Sequence, residues 1–528
     1  MRMGARTNSE SAAAREDSPA LGERIEAWKQ RAAETDWTPW LIVALGAFLR
    51  IFLLGIKPPH FDEGINGWFV DQMVKNGFYN YDPTNYHGPL HFYILFLSQT
   101  LLGRNLWALR LPVVLGSIFC IRLATKFEPV VGRNTSLLAA LAMSVSPGFV
   151  FYGRYAIHEV WLLLFSMLFV LGLLGLWKYG TRGYLWCVCM GLAGMILTKE
   201  TYIIHVGCAL LAIPIAWVSY RLKPTDDGQI APQTWRYVDL ALAILVGIAA
   251  IIFFYSGTFL HWNGLKGLYQ TFGAWFKTGH NGNGHEKPYY YWLMLVARYE
   301  WPVLFGLIFC SCCQFFRSLP VRYLAIMGVG CLTAYSIVHY KTPWCIISVV
   351  WPLLFVFGAI LSLVPPFYQQ VSRVACGVLL ACSLLVTIWL NYFHCTTESE
   401  PYVYVQTYND IFKLTDPLLK LAHSNPTYYQ LVGHMIRTSA YPIPWMLGDF
   451  PRVGYYEHDN LPTTLDADFL LVQQDKIADV ESKLHGSYYT EPLTIRQYQD
   501  PSKLYFSSKV FARFFQGRVP DFAGKPTQ

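Results

Sequence analysis

The stretch HFDEGINGWF, residues 60–69, places two adjacent carboxylates, Asp62 and Glu63, directly after an apolar run from Trp40 to Ile56. Only 14% of the 528 residues are charged and 54% are hydrophobic, so adjacent acids at this place are unusual for the chain. A carboxylate near a membrane surface costs several kcal/mol to desolvate unless it has partners or a chemical role. The acid pair is therefore the first candidate functional site.

The low charge content and the long apolar runs predict a multi-pass α-helical membrane protein. A soluble protein of this length would need more charged residues to cover its surface. Several runs approach the roughly 20 residues that span a bilayer core. The runs predict about 11 transmembrane helices, at 39–56, 107–127, 134–151, 158–178, 183–198, 201–220, 237–256, 291–313, 321–339, 344–364 and 373–394.

A further apolar run, GPLHFYILFLSQTLL at 88–102, is short and carries His91, Ser98 and Gln99. It is typical of a helix that lies in the membrane interface with its apolar face in the lipid. A short tilted span is the alternative interpretation. The choice decides sidedness, because a crossing here would separate the acid pair from the other polar clusters of the chain.

With eleven spans and a cytoplasmic N-terminus, the polar clusters fall on the outer face of a plasma (inner) membrane. They are FDEG, YGRYAIHE, TKET, GHNGNGHEKP and HYKTPW. The positive-inside bias supports this orientation only weakly, because the outer segments also hold lysines. The predicted external segments are 57–106, 152–157, the junction at 199–201, 257–290, 340–343 and everything after about 395.

The composition divides the chain into three parts. Residues 1–36 are polar and predict a cytoplasmic segment, and 37–394 form the transmembrane domain with its first external loop at 57–106. Residues 395–528 predict a small extracytoplasmic α/β domain, because they are polar and contain no further span. Its predicted elements are strands at 402–407 and 468–474 and a helix between them. The net charge of +7 is dispersed, so no nucleic-acid partner is expected.

Asp62 is predicted to act as a general base that takes a proton from an acceptor hydroxyl. Successive helical positions diverge by about 100°, so only one of two neighbouring acids can face a substrate squarely. Glu63 is therefore assigned an orienting or bridging role. The alternative is that both acids mark a helix N-terminus, where carboxylates interact favourably with the helix dipole.

Other ionisable residues stand at the ends of the apolar runs. His87 and His91 are four apart and would share one face of a helix, which leaves a divalent metal open as a cofactor. FYGRYAIHEV brings Arg154, His158 and Glu159 to the outer end of a span. Anchoring at headgroup depth is the alternative for these three, but three ionisable residues in six positions favour a functional role.

Two further clusters lie between apolar runs with almost no loop. LTKETYIIH contains Lys199 and Glu200, and HYKTPW contains Tyr340 and Lys341. Either lysine is a candidate to bind a phosphate as a point charge. An ion pair with Glu200 is the alternative for Lys199. The chain has no P-loop, no GxGxxG after a strand, no HExxH and no GxSxG. A reactant must therefore reach the outer face already activated, most simply on a lipid.

Several stretches, taken in order, resemble the membrane-embedded C-type glycosyltransferases, the superfamily of dolichyl-phosphate-mannose protein mannosyltransferases and aminoarabinose transferases. They are the Asp-Glu pair after the first span, an amphipathic surface helix, GPL opening a second one, WALRLP before the next span, and SPGFVFYGRYA. TKETY, HYKTPW, PYVYVQT and YPIPWMLGDF resemble more narrowly a prokaryotic flippase-activity-associated family linked to archaeal protein glycosylation.

The resemblance implies the C-type glycosyltransferase fold and a polyprenyl-phosphate sugar as the donor. By that likeness Asp62 would be the base and Glu63 its neighbour in the motif. Arg154, His158 and Glu159 would occupy the second outer loop, where some relatives place a second acid. Relatives often carry KPPL where this chain has YHGPL, so His87 stands where a lysine is expected.

The expected activity is single-displacement glycosyl transfer to a hydroxyl of a glycan, lipid or protein acceptor at the outer face. Lys199, Arg154 and Lys341 are the candidates to neutralise the departing lipid phosphate. The alternative is a flippase or flippase accessory that makes no bond. That alternative would also fit Arg298 and Glu300, which lie inside a predicted span and are expected to pair with each other.

Overall fold

The computed structural model describes residues 35–84, 87–281, 284–457 and 460–524. Each apolar run that predicts a span holds one helix or two consecutive helices. Seven helical segments of the described ranges are long and apolar enough to cross a membrane: Leu106–Val131, Glu159–Tyr179, Tyr202–Leu222, Tyr237–Tyr255, Leu319–Ile337, Pro343–Ser362 and Pro366–Phe393. Four shorter apolar helices are Thr38–Ile51, Leu90–Leu102, Arg182–Ile196 and Trp301–Cys310. The protein is a multi-pass α-helical membrane protein.

The centre of the bundle is the helix Ile346–Ala359, in which every residue is buried. It packs against helices of four neighbouring segments, Arg133–Val145, Glu159–Tyr179, Trp301–Cys310 and Leu319–Ile337. A helix that is apolar on all sides is stable only in such a surrounded position.

Two of the predicted spans are broken, and the two breaks meet at Glu300. One span is divided into Arg133–Val145 and Pro147–Tyr152, and the other into Tyr291–Tyr299 and Trp301–Cys310. Glu300 accepts a hydrogen bond of 2.7 Å from the backbone N–H of Gly148 and one from the Ser146 hydroxyl. The buried carboxylate thus receives one backbone N–H of the first turn of Pro147–Tyr152, where such groups have no partner within the helix.

The predicted pairing of Arg298 with Glu300 is wrong. The Arg298 guanidinium lies 3.1 Å from both carboxylate oxygens of Glu400, which follows the last span. Glu300 is fully buried and accepts a hydrogen bond of 3.0 Å from the Tyr402 hydroxyl. Both acids therefore join the end of the bundle to the segment that leads into the C-terminal domain.

Before residue 395, three helices of the described ranges lie in segments predicted to be external: Phe61–Asn76, Leu90–Leu102 and Gly264–Asn281. Leu90–Leu102 packs on Phe61–Asn76 and on Leu106–Thr125. Its Phe92 and Leu95 are buried, whereas Leu97 and Leu101 are exposed on the protein surface. One face is therefore apolar and uncovered, and the location of this helix at the membrane interface stays a prediction.

The C-terminal part contains a six-stranded sheet with helices packed on it. The strands are β1 Gly433–Ile436, β2 Val453–Tyr456, β3 Phe469–Gln473, β4 Ser487–Leu493, β5 Ser502–Ser507 and β6 Phe522–Ala523. Their order is β2-β1-β3-β5-β4-β6, with β2, β1 and β3 parallel and the other pairs antiparallel. The helices of this part are Ile411–Ser424, Ile443–Met446, Ile477–Glu481 and Ser508–Phe511. The predicted small α/β domain is confirmed.

Within the C-terminal part, the strand predicted at 402–407 is wrong. The strand predicted at 468–474 and the helix predicted between the two are confirmed. Residues 402–407 cross the top of the bundle instead, with Tyr402 in the transmembrane core and Tyr404 at a cavity. Tyr402, Val403, Gln406 and Thr407 are buried, and the first two belong to the core of the bundle. A sequence alone cannot distinguish such a buried segment from a strand.

The C-terminal domain rests on the helix Phe61–Asn76. A Cβ atom placed on Gly64 would lie 2.5 Å from the Cα of Pro442, so only glycine permits this approach. Arg104 adds two hydrogen bonds of 2.9 Å to Asp71 of that helix and lies 3.3 Å from Asp449 of the domain. The first external helix is therefore held between the bundle and the domain.

Candidate active site

A cavity of about 760 Å³ lies between the bundle and the C-terminal domain. Every segment predicted to be external contributes to its wall, although these segments are far apart in the chain. The contributing residues are Thr84, His87 and Trp292 and others within 61–66, 157–159, 199–204, 275–279, 284–287, 335–345, 404–405 and 496–499. The polar clusters of the sequence therefore converge on a single chamber.

Asp62 lines this cavity from the first turn of the helix Phe61–Asn76. Its side chain is 30% exposed. In the part of the chain that the structure describes, no group donates a hydrogen bond to its carboxylate, and no lysine or arginine forms an ion pair with it. A carboxylate of this kind can accept a proton from a bound hydroxyl without first breaking a bond to the protein.

Glu63 points the opposite way and does not line the cavity. Arg110, the arginine of WALRLP, donates to both of its oxygens at 2.8 and 2.7 Å, and both side chains are fully buried. The backbone N–H groups of His60 and Ala156 also donate to it, at 2.8 and 2.9 Å. Glu63 is therefore held in a buried structural ion pair, and its predicted orienting or bridging role stays a prediction. Both acids lie in the first turn of the helix, as the alternative interpretation requires, and Glu63 also forms a capping box with His60.

A second group of lining residues centres on Lys199. Its ammonium forms an ion pair with Glu159 and lies 3.7 Å from the Cys345 thiol, which in turn lies 3.4 Å from Glu159. Lys199, Glu159 and Cys345 are all buried at the cavity wall. The alternative that Lys199 pairs with its neighbour Glu200 is wrong.

Glu200 instead lies 3.4 Å from the Nδ1 atom of His87 across a short antiparallel bridge. The bridge brings the predicted YHGPL and TKET clusters together, with Gly88 N–H donating to the Thr198 carbonyl at 3.0 Å. A Cβ atom on Gly88 would lie 2.2 Å from the Leu197 carbonyl oxygen, so the bridge requires glycine there. Both His87 and Glu200 line the cavity.

His158 and His91 lie beside His87, with ring centroids of His158 at 4.3 Å from His91 and 4.5 Å from His87. His91 accepts from the Trp161 indole at 3.0 Å through Nδ1 and donates to the Ala156 carbonyl at 3.2 Å through Nε2. Both of its nitrogens are occupied, so it is not available to a metal. Within the described ranges no three His, Cys, Asp or Glu side chains are arranged to hold a metal ion. His158 lines the cavity.

Two predicted phosphate ligands lie outside the cavity wall. Arg154 is buried and donates to the backbone carbonyls of Leu49, Phe52 and Leu53 at 2.7 to 3.0 Å, so it caps the end of the first helix. Lys341 donates to the Lys287 carbonyl at 3.1 Å and to the Val338 carbonyl. Because neither cation lines the cavity, the geometry does not support their assignment to a substrate phosphate. Tyr340, next to Lys341, does line the cavity.

Sequence reasoning missed the cations that line the cavity besides Lys199. Arg496 comes from the C-terminal domain, between the Phe61 ring and the Tyr441 carbonyl. Burial lowers the pKa of Arg496 to about 10, and Asp62 acts in the opposite direction, so Arg496 stays charged at neutral pH. Lys287 lies 5.2 Å above the Tyr404 ring. GHNGNGHEKP contained a signal for Lys287, whereas nothing in the sequence around Arg496 distinguishes it.

His285 also lines the cavity, and its Nδ1 lies 2.5 Å from the Tyr404 hydroxyl. Burial lowers the pKa of His285, although nearby Asp62 acts in the opposite direction. For Tyr404, burial has the opposite effect and raises the pKa of the hydroxyl to about 12. Both groups are therefore neutral near pH 7 and available as hydrogen-bonding partners at the cavity wall.

Comparison with known proteins indicates the class of protein to which this fold belongs. The model of the family "Dolichyl-phosphate-mannose-protein mannosyltransferase" matches residues 86–254, a segment that begins after Asp62. No curated protein matches the chain. The solved structure of ArnT from Cupriavidus metallidurans bound to undecaprenyl phosphate is similar over 88% of this chain and 97% of that chain, at 14% identity and a TM-score of 0.60. The apo structure of the same protein is similar over 92% and 98%, at 13% identity and a TM-score of 0.57.

At these identities the similarity establishes the fold. The chain has the fold of the membrane-embedded C-type glycosyltransferases, and the resemblance of its sequence motifs to that superfamily is confirmed.

Proposed function

We propose that the protein is a glycosyltransferase that moves a sugar from a polyprenyl-phosphate donor to an acceptor hydroxyl at the outer face of the plasma membrane. The observation that carries the proposal is the pairing of an uncommitted carboxylate, Asp62, with three cations, Lys199, Lys287 and Arg496, around one cavity. A transfer of this kind needs a base at one end of the reacting centre and positive charge at the other. The lipid carrier in the similar ArnT structure, undecaprenyl phosphate, supports a donor of this class.

In the proposed reaction, Asp62 takes the proton of the acceptor hydroxyl while the hydroxyl oxygen attacks the anomeric carbon. The bond between that carbon and the phosphate oxygen breaks in the same step, and the polyprenyl phosphate leaves with the electron pair. Cations placed where this negative charge develops commonly lower the barrier by a few kcal/mol. Arg496, Lys287 and Lys199 supply this positive charge, and Glu159 holds Lys199 in place. They replace Arg154 and Lys341 in this role.

The remaining polar groups of the cavity bind the sugar. His87, Glu200 and His158 line the wall near the Lys199 group, and Tyr340 lines it beside His285. All four present hydrogen-bonding groups to a polyhydroxylated ligand. The acceptor is a glycan, a lipid or a protein with a hydroxyl that reaches Asp62. The C-terminal domain closes the cavity on the side of Arg496, so the acceptor binds against the domain as well as the bundle.

Substitution of Asp62 by Asn tests the proposal. The purified protein in nanodiscs is supplied with a radiolabelled sugar linked to polyprenyl phosphate and with acceptors present in membranes of the source cells. The assay follows transfer of the radiolabelled sugar to those acceptors. The D62N variant removes only the proton acceptor, so transfer falls by at least about 10²-fold while folding is unchanged. Asp82 is a matched control in the same external loop, because its carboxylate accepts hydrogen bonds from Thr84 alone within the described ranges, and Asn can accept them as well.

D82N is expected to transfer at the wild-type rate. Wild-type activity in D62N would contradict the proposed base. The flippase alternative predicts a different result. If the lipid-linked sugar moves across the bilayer and neither the wild type nor any variant transfers it, the proposal is overturned.

A further inference from the structure

His60 lies directly before the helix that carries Asp62, and its side chain is not part of the cavity wall. It is 2% exposed. Its Nδ1 atom accepts the backbone N–H of Asp62 at 3.1 Å, and its Nε2 atom donates to the Tyr404 carbonyl at 2.8 Å. The imidazole therefore joins the first turn of the helix to the segment that forms the facing wall.

The two hydrogen bonds define the chemical state of the ring. Acceptance through Nδ1 and donation through Nε2 require the neutral tautomer with its proton on Nε2. A second proton on Nδ1 would end the bond to the Asp62 N–H and would present a charged N–H to the Asp62 carboxylate, whose Oδ2 lies 3.9 Å away. A neutral His60 thus leaves the carboxylate unpaired, and a charged one would engage it.

Burial keeps the ring in this state, although Asp62, Glu63 and the Tyr404 carbonyl favour its charged form. Burial lowers the pKa of His60, the carboxylates of Asp62 and Glu63 act against this, and Lys57 adds to it. The rings of Tyr155 and Trp344 meet the imidazole edge-on, with centroids 5.0 and 5.7 Å away. These contacts fix the ring plane, so the two nitrogens point in fixed directions.

We propose that His60 is a positioning residue that holds Asp62 in its reactive orientation by using its two ring nitrogens in opposite hydrogen-bonding roles. This inference rests on the proposed function, because it concerns the orientation of the proposed base. His60 touches no substrate in this account and acts only through Asp62 and Tyr404.

Replacement of one nitrogen at a time tests the proposal. His60→Asn places an oxygen near the position of Nδ1 and retains a helix cap, since Asn is among the preferred N-cap residues. His60→Gln places an amide near Nε2 and loses the cap, and His60→Ala loses both contacts. Misplacement of a reacting group by about 1 Å can cost up to about 10²-fold in rate, so H60A is expected to lose turnover to that extent with an unchanged donor KM.

The expected order of turnover is wild type, then H60N, then H60Q, then H60A, measured per folded protein. Tyr155→Phe is the control, because it removes a hydrogen bond of 2.7 Å to Gln406 at the same corner and leaves the ring and the Asp62 turn in place. Its turnover is expected to equal that of the wild type. If His60 only stabilised the fold, the losses would follow the thermal unfolding midpoints, and turnover per folded protein would be equal in all variants.

Wild type and D62N in the same assay separate the two proposals. An inactive wild type, or an active D62N, overturns the proposed function. If the wild type is active and D62N is inactive, the proposed function stands. In that case an H60A turnover within about twofold of the wild type overturns the inference about His60 alone, because a misplaced base would reduce turnover far more.

Discussion

Neighbouring acids in this chain have opposite surroundings. Glu63 is fully buried between the Arg110 guanidinium and two backbone N–H groups, whereas Asp62 faces the cavity with no donor to its carboxylate in the described ranges. The helix turns by about 100° between them, so the burial of one exposes the other. The same rotation that makes Glu63 a structural residue leaves Asp62 available for chemistry.

Replacement of Glu63 by Gln tests the structural role. Loss of one partner leaves the buried Arg110 charge without compensation, which typically costs about 3–5 kcal/mol. We expect a clear drop in the thermal unfolding midpoint of E63Q, followed by tryptophan fluorescence, and no comparable drop in D62N. A midpoint of E63Q equal to that of the wild type would contradict the role.

The sign of the pH dependence follows from the same contacts. Burial alone would raise the pKa of Glu63, but Arg110 and the two backbone donors lower it below the ordinary value of 4.5. The pair therefore contributes stability above that value and loses it as the pH falls through the lower pKa of the folded state. The difference in midpoint between wild type and E63Q should shrink below about pH 4.5 and be constant near neutral pH.

At the scale of elements, the bridge between residues 87–90 and 197–199 positions one wall of the cavity. Gly88 allows it, because a Cβ atom there would lie 2.2 Å from the Leu197 carbonyl oxygen and 2.6 Å from the Thr198 nitrogen. Overpacking of this kind typically costs about 1–3 kcal/mol or displaces the backbone. His87 and Lys199, which form the bridge, would then move relative to each other.

Gly88→Ala is therefore expected to reduce transfer strongly in the nanodisc assay. Gly183→Ala is the matched control, since a Cβ atom at this helical glycine meets nothing within 4 Å. Equal transfer by G88A and G183A would show that the bridge does not position the site.

The elements that can be read from the sequence are those set by local composition. The apolar runs predict the spans well, because length and hydropathy alone determine them. Predictions failed where a contact between distant segments determines the position of a residue. Glu300 meets a second helix break, Arg154 caps a helix about a hundred residues earlier in the chain, and residues 402–407 cover the bundle. The cluster HYKTPW reaches the cavity through Tyr340, Thr342 and Trp344, yet Lys341 donates to backbone carbonyls because its segment pairs with residues 285–287.

At the scale of the whole molecule, the C-terminal domain completes the wall of a cavity that the bundle and its external segments mostly form. Arg496 reaches the cavity from the domain, 3.9 Å from the ring of Phe61, and donates to the Tyr441 carbonyl and the Ser439 hydroxyl. The base thus comes from the bundle and one of the cations from the domain. This division explains why neither part of the sequence predicts the complete site.

The anomeric configuration of the product tests the central claim most directly. A single displacement with Asp62 as the base inverts the anomeric carbon, whereas a covalent sugar–enzyme intermediate would retain its configuration. With a β-linked polyprenyl-phosphate hexose as the donor, NMR of the product is predicted to show an α-glycoside. A β-glycoside would contradict the account, because it would require a nucleophilic residue and a second displacement in the same cavity.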